Sequence, residues 1–174
     1  SALAQQARND PAAGVRCEAL LQLLDRDAAD AALLRDLGTD RDAGVRCMAA
    51  RALVAEGQAG AAIGILGPLT ESEHLATACM ARVSLLAAGR EDQLAPLREL
   101  LSAPKMPDAA AGLILDQLAE DEVAAGRPLA RMMTEAESPR LRLSAWRAVA
   151  ALETGVGPEL AASVGRAQRP REKL

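Results

Sequence analysis

The chain has no Phe, no Tyr, a single Trp and a single His. A core without phenyl rings must be assembled from Ala, Leu, Val, Ile and Met, and half of the residues are hydrophobic. That palette favours closely packed helices, because Ala and Leu head the helix scale while strands draw on β-branched and aromatic side chains. His74 stands alone, which leaves no partner for a His-based nucleophilic site. No apolar run reaches the length of a membrane span and the first residues lack a signal-peptide pattern, so a soluble, cytoplasmic chain without a membrane partner is expected. A net charge of −4 and a pI near 5.1 lack the basic field of a nucleic-acid binder. No strand is evident and so no glycine-rich phosphate loop follows one; no cofactor is expected.

What the chain does have is repetition. AGVRC stands at Ala13 to Cys17 and again at Ala43 to Cys47, thirty positions on. From the valine, Val45, Ala49, Ala52 and Leu53 lie on one face of a helix, and Val15, Ala19, Gln22 and Leu23 do nearly the same. Further copies follow at Thr77, Ala81, Ser84 and Leu85 and at Leu141, Ala145, Ala148 and Val149. A blurred copy, interrupted by Gly112, lies near Ala110, Ile114 and Leu118. Between these helices a second set repeats: Leu34-Arg35-Asp36-Leu37 returns as Leu97-Arg98-Glu99-Leu100 and, more loosely, as Ala130-Arg131-Met132-Met133. Self-similarity at such a period is the mark of stacked supersecondary units. The expected fold is all-α: a right-handed α-solenoid of about five helix pairs, one domain over residues 1–168 with a polar tail at 169–174.

Leu3 and Ala7 align with the second helix of a pair, so the chain is read as starting mid-repeat. The surface meant for a preceding unit would then be apolar and exposed, and self-association through the N-terminal end is expected. Asp10-Pro11, Asp40 or Asp42, Ser72, Asp108 and Ser138-Pro139 supply caps or a first-turn proline ahead of the first helices. Gly38, Gly57, Gly89 and Gly155 follow apolar stretches, where a glycine can take the left-handed conformation that ends a helix.

The order Asp, Val-Arg, Ala-rich helix, Gly, Leu-rich helix, clearest from Asn9 to Gly57, resembles the HEAT-like repeats of the phycobilisome-lyase type, and the resemblance runs over nearly the whole chain. It implies an α-solenoid whose second helices line the inner curve. It does not select one function, because such repeats serve adaptors, lyase subunits and DNA-repair enzymes.

Candidate sites are weighed against packing. Arg16 and Arg46 recur in the Val-Arg pair and Arg142 holds the same place after Leu141, with Ala78 breaking the series; they are expected to form a structural ladder with Asp10, Asp40 or Asp42, a ligand role being the alternative. Cys17, Cys47 and Cys79 occupy equivalent positions and form a column rather than a metal cluster, with Leu143 as a fourth buried member; no metal site is expected. Gly60, Gly64 and Gly67 are read as places of close helix approach. Trp146 is either a plug of the core or a binding hot spot. Arg35, Arg98 and Arg131, with Asp36 and Glu99 beside two of them, form the candidate partner-binding row on the concave face, against the alternative of solvated charges.

These readings converge on a non-enzymatic scaffold or adaptor, without catalytic residues, that binds an extended or helical segment of another protein. The resemblance keeps two alternatives in view: a catalytic or non-catalytic subunit of a bilin lyase-like enzyme, and a HEAT-like DNA glycosylase. The latter stacks its substrate on aromatic side chains, of which this chain has one.

Overall fold

The computed structural model describes residues 1–153. The regular structure is helical throughout, with no strand among the described residues. Ten α-helices follow one another: α1 (Ala2–Asn9), α2 (Ala13–Leu24), α3 (Ala31–Leu37), α4 (Ala43–Ala55), α5 (Ala59–Leu69), α6 (Leu75–Ala87), α7 (Leu94–Ser102), α8 (Asp108–Glu120), α9 (Arg127–Met133) and α10 (Pro139–Leu152). Single 3-10 turns, Glu91–Gln93 and Ala124–Gly126, lead into α7 and α9. Gly155 and the polar tail at 169–174 lie outside the described residues.

The chain divides into two compact units, 1–90 and Glu91 onward. In the first, α1 packs on α2 and α3, α2 on α4, and α4 on α5 and α6. In the second, α8 packs on α10, and α9 on both α7 and α10. The first unit is sealed by aliphatic side chains without a ring among them, including Leu20, Leu34, Val45, Leu53 and Leu66, none of them measurably exposed. Each such leucine contributes about 2 kcal/mol through burial. Ala7 is fully buried and Leu3 packs partly buried against the same core. Both residues are on the side of α1 that packs on α2 and α3.

The AGVRC motif can be read position by position in α4. Asp42 caps the helix, its Oδ1 accepting from the Val45 amide at 3.0 Å. A Cβ on Gly44 would stand 3.1 Å from that oxygen, so glycine leaves the cap its room. Val45 and Cys47 are buried, and Arg46 turns back to hold the preceding turn.

The helix stops repeat as well. Gly57 and Gly89 adopt the left-handed conformation, with φ of 73° and 86°. In each case the next amide reaches five residues back, Gln58 to Leu53 at 2.8 Å and Arg90 to Leu85 at 2.9 Å, which is the Schellman arrangement. Asp27 (φ 51°) and Glu122 (φ 48°) close α2 and α8 through the same bonds, Ala28 to Leu23 and Val123 to Leu118. Gly38 does not belong to this set. Its φ is −61°, and it lies instead against Ile65, whose Cδ1 would stand 2.4 Å from an added Cβ.

Gly60, Gly64 and Gly67 correct the expectation of close approach: a Cβ on any of them would meet nothing within 4 Å. They leave an open strip on α5, a helix that also contains Pro68. The close contact is made by Gly126 instead, where a Cβ would fall 2.4 Å from Leu118 Cδ2.

Candidate functional site

The Val-Arg arginines share one geometry. Two residues before each of the helices α2, α4 and α6 has its N-cap, a side-chain oxygen braces the turn: Asp10 accepts from the Ala12 amide at 2.9 Å, Asp40 from Asp42 at 2.7 Å and Ser72 from His74 at 3.2 Å. Arg16 reaches back over its turn, Nη1 donating to the carbonyls of Asp10 (2.7 Å) and Pro11 (3.3 Å). Arg46 repeats this on Asp40 (2.7 Å) and Arg41 (3.1 Å), and Arg142 on Ala136 and Glu137 (both 2.8 Å). Carbonyls that no helix could satisfy thereby gain a charged donor.

Arg16 goes further. Its Nε and Nη2 grip Asp40 of the next turn at 2.8 and 2.7 Å, a two-pronged pair with side chains only 2% and 8% exposed. Burial by itself pushes the Asp40 carboxyl up; the Arg16 hydrogen bond, the Asp42 amide and nearby guanidinium charges outweigh it and hold the carboxyl below its ordinary range. Arg16 responds in the opposite sense, its pKa raised chiefly by the same hydrogen bond.

A cleft of about 440 Å³ opens beside this pair, walled by three arginines (Arg8, Arg16, Arg41) and three aspartates (Asp10, Asp36, Asp40), with Asn9, Leu37 and Thr39 completing it. Its charges are already engaged. Arg8 Nε meets Asp36 at 2.7 Å, and Arg41 Nη2 donates to the Pro11 carbonyl at 2.5 Å. The lining holds no Cys, His or Ser, so no activated nucleophile of those types faces the cleft.

The candidate row on the second helices lies partly in each unit. In the first, Arg35 is exposed and donates through Nε to its own helix at Ala31 O (2.9 Å), while neighbouring Asp36 holds Arg8. In the second, Arg98 and Glu99 are exposed on α7. Arg131 is half-buried and engaged with Glu153, its Nε 3.1 Å from both carboxylate oxygens and Nη2 on Oε2. That hydrogen bond holds the Glu153 carboxyl below its usual range.

Trp146 is 7% exposed and belongs to the core of α10, so its ring is not a surface feature. No described residue accepts from its buried indole nitrogen. Cys47 and Cys79 are buried and Cys17 is half-buried; burial pushes all three thiols up, Cys47 to about 11, which keeps them protonated. Leu143 does not extend the column. It is 48% exposed, because α10 turns this position outward between Arg140 and Arg147. No group of three or more His, Cys, Asp or Glu among the described residues is placed to hold a metal ion. No helix there is long and apolar enough to cross a membrane.

Asp40 was legible as a partner for an arginine, and Asp10, Asp40 and Ser72 as oxygens ahead of the first helices; that all three brace the turn instead of capping the helix was not. The signal is positional: each lies two residues ahead of an N-cap, a register that only the hydrogen bonds reveal. Comparison with protein families, with curated proteins and with solved structures gave no match.

Proposed function

We propose that the chain is a right-handed α-solenoid of about five HEAT-like helix pairs, of the phycobilisome-lyase repeat type, acting as a non-enzymatic protein-interaction module. The recurrence of one turn before α2, α4 and α6, one arginine anchor in α2, α4 and α10, and one helix stop after α2, α4, α6 and α8 supports the repeat reading. In this reading the second helices form the inner, partner-facing row.

The observation that carries the binding role is the state of Arg35 and Arg98. Both are exposed at equivalent positions of second helices; Arg35 uses one donor on its own helix, and Arg98 has no partner among the described residues. Their guanidinium planes have donors to offer an acidic or aromatic segment. Arg131, held by Glu153, takes a supporting part, and the open strip at Gly67 leaves room for a partner backbone. The buried Trp146 ring is not placed to stack on a base, which favours this reading over the glycosylase.

The test is site-resolved crosslinking in cells, with a photoreactive residue at position 98 and, as a control, at position 147 on α10. Crosslinks concentrated at 98 are expected, and Arg35→Glu with Arg98→Glu should weaken binding of the captured protein at least about tenfold while the helical circular dichroism persists. Equal capture from both positions, or unchanged affinity in the folded double variant, would place the surface elsewhere.

A further inference from the structure

The three braced turns of the first unit permit a direct comparison of equivalent atoms. Arg16 and Arg46 anchor Nη1 on the turn before their own helix in the same way, which fixes where the opposite edge of each guanidinium, Nε with Nη2, is directed. For Arg16 that edge meets the next turn at Asp40. For Arg46 the corresponding residue of the next turn is Ser72, and Nε and Nη2 of Arg46 donate to no group among the described residues. Ser72 Oγ accepts from the His74 amide, so its O–H remains to be donated.

The helix that follows adds donors of its own. Whereas α4 is capped by the Asp42 side chain, α6 begins at His74 without any side-chain cap, which leaves the amides of its first turn to other acceptors. Arg46 and Ser72 are both half-exposed, so a solute can reach them. Exposed Glu71 and Glu73 in the same turn add negative charge that disfavours a dianion, and the planar two-donor edge matches a carboxylate.

We propose that the Nε–Nη2 edge of Arg46, the Ser72 hydroxyl and the first turn of α6 form a site for an external, singly charged carboxylate, which enters as Asp40 enters the Arg16 site. The ligand is either an Asp or Glu side chain of another protein or a small free carboxylate. The site is defined by comparison within the chain and stands whether or not the second helices bind a partner.

The experiment follows the arginine Nε–H resonances of the whole chain by 15N NMR at constant ionic strength. With acetate, the Arg46 signal should move along a saturating curve, Arg35 and Arg98 should drift without saturation, and Arg16, already paired, should stay in place. In Ser72→Asp the internal carboxylate should shift the Arg46 signal toward that of Arg16 and abolish its response to acetate. A second arm uses the blocked peptide acetyl-Ala-Glu-Ala-amide. Saturation by the peptide at lower concentration than acetate assigns the site to a protein side chain; the reverse order assigns it to a small carboxylate. An Arg46 response that follows Arg35 and Arg98 in both arms overturns the proposal.

Discussion

The pair α2 with α3 and the pair α4 with α5 make the same turn and helix-stop bonds but differ in chemistry. In the first, the arginine edge is closed by a buried carboxylate, the helix stop rests on Asp27 in a left-handed conformation, and the following helix, Ala31–Leu37, buries three leucines. In the second, the Nε–Nη2 edge of the arginine meets no carboxylate among the described residues, the stop rests on Gly57, and the following helix carries three glycines over open space. The shared bonds are those to turn carbonyls and helix ends, which any copy must satisfy. The differences lie at positions where the backbone is indifferent, and there each copy has its own stability and its own surface.

The ion pair offers the largest contrast. Asp40→Ala leaves the nearly inaccessible Arg16 without its counter-charge and should lower Tm by roughly 10 °C, whereas Arg46→Ala loses two bonds to carbonyls and should lower it by a few degrees; thermal unfolding followed by circular dichroism reads both. Equal losses would erase the difference between the copies. The same pair sets an acid dependence. Because the folded Asp40 carboxyl sits below its unfolded value of about 3.9, its contribution is complete above that pH and is lost as pH falls through the lower folded value. Urea titrations across that range should show this part of the acid slope missing in Asp40→Asn.

A smaller effect is expected in α5. Changing Gly60, Gly64 and Gly67 together to Ala meets no steric obstacle and should stabilise the protein by about 2 kcal/mol through helix propensity. A destabilised triple variant in urea titration would mean that these positions face something the strip does not show. The smallest effect concerns the stops. Asp27→Gly should gain up to about 1 kcal/mol, and Gly57→Asp should lose about as much, because only the glycine adopts positive φ without a Cβ penalty. Opposite signs in the pair of variants are the check.

Much of this architecture was legible in advance because a repeated motif reports a repeated environment. AGVRC located α2 and α4, and its arginine marked a side chain that α2, α4 and α10 each turn back on the preceding loop. The stops at Asp27 and Glu122 were hidden, since the backbone there adopts a glycine-like conformation without glycine and pairs the same amides and carbonyls. The strip on α5 misled for the converse reason: small residues at helical spacing look alike whether a neighbour approaches or not. Leu143 was misread because its equivalents are buried by helices packed on α4 and α6, and that shared position does not guarantee α10 the same neighbour.

The most direct test of the account is a double-mutant cycle joining Ser72→Asp with Arg46→Ala, read as Tm. If Ser72 stands where Asp40 stands, the new carboxylate should close on the Arg46 edge and raise Tm by roughly 3 °C more in the parent chain than in the Arg46→Ala background, where only its favourable position ahead of the α6 N-terminus remains. The same change in both backgrounds would show that the two turns are not equivalent and that the Arg46 edge does not point at Ser72.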